Sequence, residues 1–356
     1  MKKKGLSILI VATLIISMLS GCGKKEVTEN IALLTLASAN DYTSATVQKT
    51  TERYAQENNL IYKQHQVSNG TVEAVEVEVK AAAEAGADVV VLSGTDFEEA
   101  LYELQGKYKD LKFVIVDGAP RKAEGKKYKA RKNTEAILFA EEQGGFLAGY
   151  AAVKDGYKNL GFIGGVPNDN VVRYGTGFVQ GANYAAEEMG LDKEKITVRF
   201  TYMGTNEMSP AMMGIAGQWY DEGCEVIFAS GGTMGTAIMK AAEEKGKKVI
   251  GVDCDQSGES SSVIVSVTKQ IDSTLYATLA SVYNGEFVGK KAQAMNVEDG
   301  GIALSIDKAK FSNFTQQDYS NIIEKMSSKD FKISQEDVKQ LQEKGDKFEN
   351  ITLNME

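Results

Sequence analysis

From Ile31 onward, short apolar runs alternate with longer stretches of helical period. Ile31–Leu36 reads as a buried strand, Thr43–Asn58 as an amphipathic helix, and Leu60–Gln64 as a second strand. The next segment is two-faced. Val75, Val77 and Val79 alternate as in a strand, yet Val72, Val75, Val79 and Ala82-Ala83 share a helical face. Its continuation through Ala81-Ala-Ala-Glu-Ala-Gly86 into a glycine stop favours helix. Ala87–Leu92 and Lys112–Val116 are then strands, with a helix from Phe97 to Gln105 between them.

The rhythm restarts after residue 134. Helices are expected at Ala136–Val153, Gly175–Met189, Pro210–Glu222 and Thr236–Lys245, and strands at Leu160–Ile163, Ile196–Tyr202, Val226–Ala229 and Lys248–Val252. Val263–Val267, the helix Ile271–Tyr283 and a short strand at Gly301–Ser305 follow. The charged tail reads as helical in part, at Tyr319–Lys325 and Gln335–Lys344. Repeated βα units with glycine-bearing turns imply parallel sheets covered by helices. Two such cycles imply an α/β fold of two doubly wound parallel-sheet lobes.

The first 22 residues break this pattern. Three lysines within Met1–Gly5, an apolar run from Leu6 to Leu19 and the small residues before Cys22 describe a secretory signal peptide over residues 1–21. The apolar run is shorter than the roughly 20 residues of a membrane-spanning helix. Leu19-Ser-Gly-Cys22 resembles the bacterial lipobox, which implies acylation of Cys22 and a lipid-anchored protein on the extracytoplasmic face of the cell membrane. Residues 22–30 then form a lipidated tether.

Without the lysines of the first 21 residues, 37 basic face 49 acidic residues, a net charge of −12. Nucleic acid and anionic surfaces select basic patches, so neither is expected as the main partner. The remaining 335 residues suit two domains at about 150 residues each. Cys224 and Cys254 fall at opposite ends of their strands, so both are expected as reduced, structural thiols.

Sites in open parallel sheets form beyond the carboxyl ends of the strands. The stretches to inspect are therefore 38–43, 93–95, 117–118, 164–170, 204–207, 230–235 and 253–256, which are rich in glycine and short polar groups. They hold no catalytic constellation. The sole histidine, His65, is expected in a surface or packing role, and Gly231-Gly-Thr233-Met-Gly235 lacks the base a nucleophile needs. Gly175-Thr-Gly177-Phe-Val-Gln-Gly181 has one residue too many for a dinucleotide fingerprint and reads as helix packing. Asp253-Cys-Asp255 offers too few oxygens for a cation. Asp253, just beyond a strand, suits acceptance of two hydroxyl hydrogen bonds from a polyol or ribose, and Asp117 has the same context in the first half.

Six motifs in order resemble the basic membrane protein family of lipoprotein substrate-binding components, which includes purine-nucleoside receptors of ABC transporters. They are Glu142-Gln-Gly-Gly-Phe-Leu-Ala-Gly-Tyr-Ala-Ala152, Leu160-Gly-Phe-Ile-Gly-Gly165, Gly177-Phe-Val-Gln-Gly181, Ser230-Gly-Gly-Thr-Met-Gly235, Ile250-Gly-Val-Asp-Cys-Asp-Gln256 and Ser266-Val-Thr-Lys-Gln-Ile-Asp272. The resemblance implies a type I periplasmic-binding-protein fold with a three-crossover hinge. It draws lobe 1 over 31–133 plus 268–290, lobe 2 over 134–267 plus 291–312, and a C-terminal helical tail over 313–356.

It also implies ligand-binding roles. Asp253 would hold ribose hydroxyls, Lys269 would donate from the hinge side, Gly232 would admit the ligand close to backbone, and Asp117 would form the first-lobe wall. In the loop with Asp41, Tyr42 stands where the family has a stacking phenylalanine and Thr43 where it has a base-reading asparagine. Gly204-Thr205-Asn206 replaces the family's Gly-Ser-Phe, so the base is held differently or the ligand is not a standard purine nucleoside. The expected function is a non-enzymatic, cofactor-free and metal-free monomer that captures a nucleoside-like small molecule for an ABC permease. The alternative is a surface regulatory lipoprotein that uses the same fold.

Overall fold

The computed structural model describes residues 27–39, 41–123, 126–192, 195–328, 330–345 and 348–356. The expected signal peptide and Cys22 lie outside the described residues. The chain first lays down β1 (Ile31–Leu36), α1 (Tyr42–Glu57), β2 (Tyr62–Val67), α2 (Val72–Ala85), β3 (Val89–Ser93), α3 (Glu98–Lys107), β4 (Lys112–Val116) and β5 (Thr134–Phe139). A second cycle contains α4 (Glu141–Asp155), β6 (Asn159–Gly164), α5 (Asp169–Glu188), β7 (Thr197–Tyr202), α6 (Pro210–Asp221), β8 (Val226–Ser230), α7 (Met234–Lys245), β9 (Lys248–Gly251) and β10 (Val263–Lys269). The chain then returns through α8 (Ile271–Tyr283) and β11 (Lys291–Met295), and ends with β12 (Ile302–Leu304), α9 (Gln316–Met326), α10 (Val338–Glu343) and β13 (Thr352–Met355).

Two sheets result. The first has the order β2-β1-β3-β4-β5-β11, and the second β13-β7-β6-β8-β9-β10-β12. The inner order is the same in both, so each strand of one sheet has a counterpart in the other, β4 with β9 and β3 with β8. All pairings are parallel except β10 with β12. Central strands are buried on both faces, as β3 (Val-Val-Val-Leu-Ser) is at every position, which fits near-continuous apolar runs. The valine-rich segment is helix α2, stopped by Gly86 at φ +93°.

Three expectations need correction. The expected boundaries place residues 134–139 and 291–295 in the second lobe, but β5 pairs with β4, and β11 with β5, in the first sheet. The apolar run of β5 enters α4 through Ala140 alone, with no glycine or proline between them, so strand and helix read as one helix. The tail is helical where expected, but it closes with β13, parallel to β7 on the edge of the second sheet.

The chain passes between the sheets three times, at Ala140, at Gln270 and between Met295 and Ile302. These passages are bonded together. Ala140 N donates to Met295 O at 2.9 Å, and Gln270 N to Gly301 O at 2.9 Å. Val297 N donates to Gln143 Oε1 at 2.9 Å. Beside them α4 and α5 pack backbone to backbone. A Cβ on Gly177 would fall 2.1 Å from Glu142 O, and one on Gly149 2.1 Å from Phe178 O. The Gly175–Gly181 repeat is therefore a helix-packing device, as expected. Cys224 and Cys254 are free and buried. No helix of the described residues is long and apolar enough to cross a membrane.

Candidate functional site

The carboxyl ends of the strands of both sheets face one cleft of about 660 Å³. Every strand-end stretch singled out from sequence contributes to it, and Asp41, Tyr42, Asp117, Asn206, Gly232, Asp253 and Lys269 all line it. Asp117 and Asp253 lie just beyond the counterpart strands β4 and β9. Both have left-handed backbone, at φ 58° and 65°. That conformation costs a residue with a Cβ about 1 kcal/mol or more and recurs at ligand clamps.

Lys269, at the end of β10, ties these walls together. Its ammonium lies 2.9 Å from Asp117 Oδ2, 3.0 Å from Glu141 Oε1 and 3.4 Å from Asp253 Oδ1, with its side chain 1% exposed. Three N–H donors thus meet three carboxylates, and a ligand reaching Lys269 would have to displace one of them. Thr43 Oγ1 donates to Asp117 Oδ2 at 3.3 Å, and the Tyr174 hydroxyl to Asp253 Oδ1 at 3.1 Å. Burial pushes the Asp117 carboxyl up to about 7, with Lys269 pulling it down and Glu141 and Asp253 pushing it up again. Burial opposes the charge on Lys269, but Asp117 and Glu141 hold its pKa well above the lysine range.

The remaining expected residues have more local work. Asp41 caps α1, accepting from Ser44 N at 2.9 Å and Ser44 Oγ at 2.7 Å. Tyr42 follows it, 47% exposed, with its hydroxyl pKa raised by burial. Asn206 Oδ1 accepts from Val166 N at 2.9 Å, while its carbonyl accepts from Met234 N and the Thr233 hydroxyl, which joins the loops after β6, β7 and β8. Gly232 has φ +55°, and a Cβ there would lie 3.3 Å from Asn206 O and 3.9 Å from Asp41 Cβ. The two lobes are therefore nearly in contact at this point.

A second bridge between the lobes was not expected from sequence. Arg121, beyond β4, is buried against Glu98 and reaches Asp169 Oδ2 at the start of α5, 2.7 Å away. Asn170 Nδ2 donates to Asp117 O at 3.3 Å. Sequence reading misses Glu141 because β5 is hidden inside a helix, and Tyr174 because α5 begins at Asp169 and not at Gly175. His65 sits on β2, between Glu78 and Glu29 at 2.9 Å each, and does not line the cleft. Among the described residues no group of three or more His, Cys, Asp or Glu side chains is arranged to hold a metal ion.

Comparison with known proteins agrees with this architecture. The family model described as "ABC transporter substrate-binding protein PnrA-like" matches residues 29–339. Basic membrane protein D of Borreliella burgdorferi is 29% identical over 228 residues, covering 63% of each chain. The ABC transporter nucleoside-binding protein BmpA of Lactococcus lactis is 29% identical over 216 residues, 55% of this chain and 57% of that one. The matched region thus spans about six-tenths of the length of these relatives. Among solved structures, an ABC transporter solute-binding protein from Aeropyrum pernix superposes with a TM-score of 0.67 at 20% identity, over 83% of this chain and 85% of that one. One from Conexibacter woesei gives 0.66 at 17% identity, over 86% and 99%. At these identities the likeness is one of fold.

Proposed function

The chain belongs to the family of PnrA-like ABC transporter substrate-binding proteins, and from that premise we propose that it captures an uncharged, nucleoside-like solute outside the cell and delivers it to an ABC permease, held at the membrane by lipid on Cys22. The observation that carries this reading is the pair of left-handed aspartates facing one cleft. Asp253, with a side chain 24% exposed, keeps access to the gap while Tyr174 and Lys269 hold its carboxylate in place. An ionised carboxylate so oriented accepts two neighbouring hydroxyls, and such charge-assisted bonds are about twice as strong as neutral ones.

The charge of the lining narrows the ligand. Asp41, Asp96, Asp117, Glu207, Asp253 and Glu259 line the cleft against one lysine, itself shared among three carboxylates. A phosphorylated ligand would enter a field of its own sign. Tyr42, half-exposed at the first turn of α1, offers an aromatic face to a planar ring. Binding requires no chemistry of the protein, only closure of two lobes whose contacts favour the closed form.

A second reading, regulation through the same fold, draws on Thr43 and Asn206. The hydroxyl proton of Thr43 and one lone pair of the Asn206 amide oxygen are committed to Asp117 and Val166, which weakens both as readers of a base. Thermal unfolding of the lipid-free protein with nucleosides, bases and pentoses separates the two. A binder gains about 2.7 kcal/mol at a hundredfold excess over its dissociation constant. A flat response across the panel contradicts capture and leaves regulation.

A further inference from the structure

Five buried side-chain polar atoms among the described residues have no hydrogen-bond partner, and two of them, Ser93 Oγ and Asp117 Oδ1, belong to residues lining the cleft. Both residues are more than nine-tenths buried. They are close neighbours, because Ser93 ends β3 in register with Val116, the residue before Asp117, and Gly94 N donates to Val116 O at 2.8 Å. The other oxygen of Asp117 is already taken by Lys269 and Thr43. A buried polar group left unpaired costs about 1–3 kcal/mol, and two on neighbouring strand ends of one cleft wall mark a place where a ligand supplies what the protein does not.

The two orphans are complementary. A carboxylate oxygen accepts, and a hydroxyl both donates and accepts. Resting on the nucleoside reading above, we propose that Ser93 is a specificity-determining residue: with Asp117 Oδ1 it reads a ligand edge that carries an N–H donor beside an acceptor, the lactam-like edge of a heterocyclic base. With its carboxyl ionised, Asp117 Oδ1 takes the ring N–H, and the Ser93 hydroxyl donates to the adjacent carbonyl. The sugar then faces Asp253 on the opposite wall, and Tyr42, one residue from Thr43, is placed against the ring. Ser230 occupies the counterpart position at the end of β8 and also lines the cleft.

The test is calorimetric titration of the lipid-free protein and of Ser93→Ala and Ser93→Thr with inosine and with purine riboside, which lacks both the N–H and the carbonyl. Expected is a loss of about tenfold in inosine affinity for Ser93→Ala, the scale of one hydrogen bond. Purine riboside affinity should be unchanged and Ser93→Thr should retain inosine binding. Equal losses for both ligands, or none, overturn the role of Ser93 while capture of nucleosides stands. No binding of either ligand by the unaltered protein sinks the nucleoside reading and this inference with it. Thermal unfolding without ligand is an independent arm. Ser93→Ala removes an unsatisfied hydroxyl and should melt no lower than the unaltered protein, whereas a clear drop would show a structural partner for Ser93 and overturn the proposal.

Discussion

The Lys269 ammonium at the end of β10 lies 2.9 Å from Asp117 Oδ2 at the end of β4, so the cation beside one crossover is bound to the carboxylate that terminates a strand of the other sheet. Glu141 and Asp253 share the same ammonium. Removing one partner of a buried charged group is far costlier than the net worth of the group, because the remaining charges stay buried and unpaired. Lys269→Met should lower unfolding stability by about 3–5 kcal/mol in urea titration. A loss below about 1 kcal/mol, the range of an exposed pair, would contradict this arrangement.

The same cluster predicts a pH dependence. Burial holds Asp117 at about 7 against an ordinary value of 3.8. A carboxyl raised on folding binds protons more tightly in the folded chain, so its contribution to stability is complete below pH 3.8 and lost as pH rises toward 7. Asp117→Asn carries no such proton. Relative to the unaltered protein, the variant should gain stability as pH rises from 3.8 to about 7 and level off above that, as read by thermal unfolding. Parallel stability curves for the two proteins would count against it.

The α4–α5 contact should tolerate no side chain at its glycines. Gly177→Ala puts a Cβ 2.1 Å from Glu142 O, beside the crossover, and overpacking of this kind costs about 1–3 kcal/mol. Gly214, in α6, has no atom within 4 Å of its Cβ position, so Gly214→Ala should stabilise by up to about 1 kcal/mol. Denaturant unfolding of both variants checks the sign of each.

Arg121 and Asp169 bridge the lobes without lining the ligand wall as a pair, since Arg121 is held in the first lobe by Glu98. Asp169→Asn should favour the open form. A larger radius of gyration without ligand, by small-angle scattering, is expected together with ligand affinity about three- to tenfold weaker, the scale of one ordinary hydrogen bond. Unchanged scattering and unchanged affinity would remove the bridge from the closing equilibrium.

Much of this was legible along the chain because strand ends are marked twice, by an apolar run and by the short polar residues after it. Asp117 and Asp253 were found in this way, and so was the stretch containing Ser93. Their left-handed backbone was not, because aspartate carries no signal as strong as glycine's for that conformation. The strand β5 was lost because Ala136–Ala140 runs into α4 unbroken, and with it went Glu141. The strand β11 reads Lys-Ala-Gln-Ala-Met over 291–295 and β13 only Thr-Leu-Asn-Met, each too polar or too short for periodicity to detect. The Arg121–Asp169 bridge joins residues 48 positions apart in different lobes, a contact no local pattern encodes.

Binding of purine nucleosides to the lipid-free protein and to Asp253→Ala, followed by titration calorimetry, bears most directly on the role given to this cleft. Saturable heat from the unaltered chain, with none from a variant that still unfolds cooperatively, is the predicted outcome. Undiminished affinity after loss of that carboxylate would mean the guest is held somewhere else.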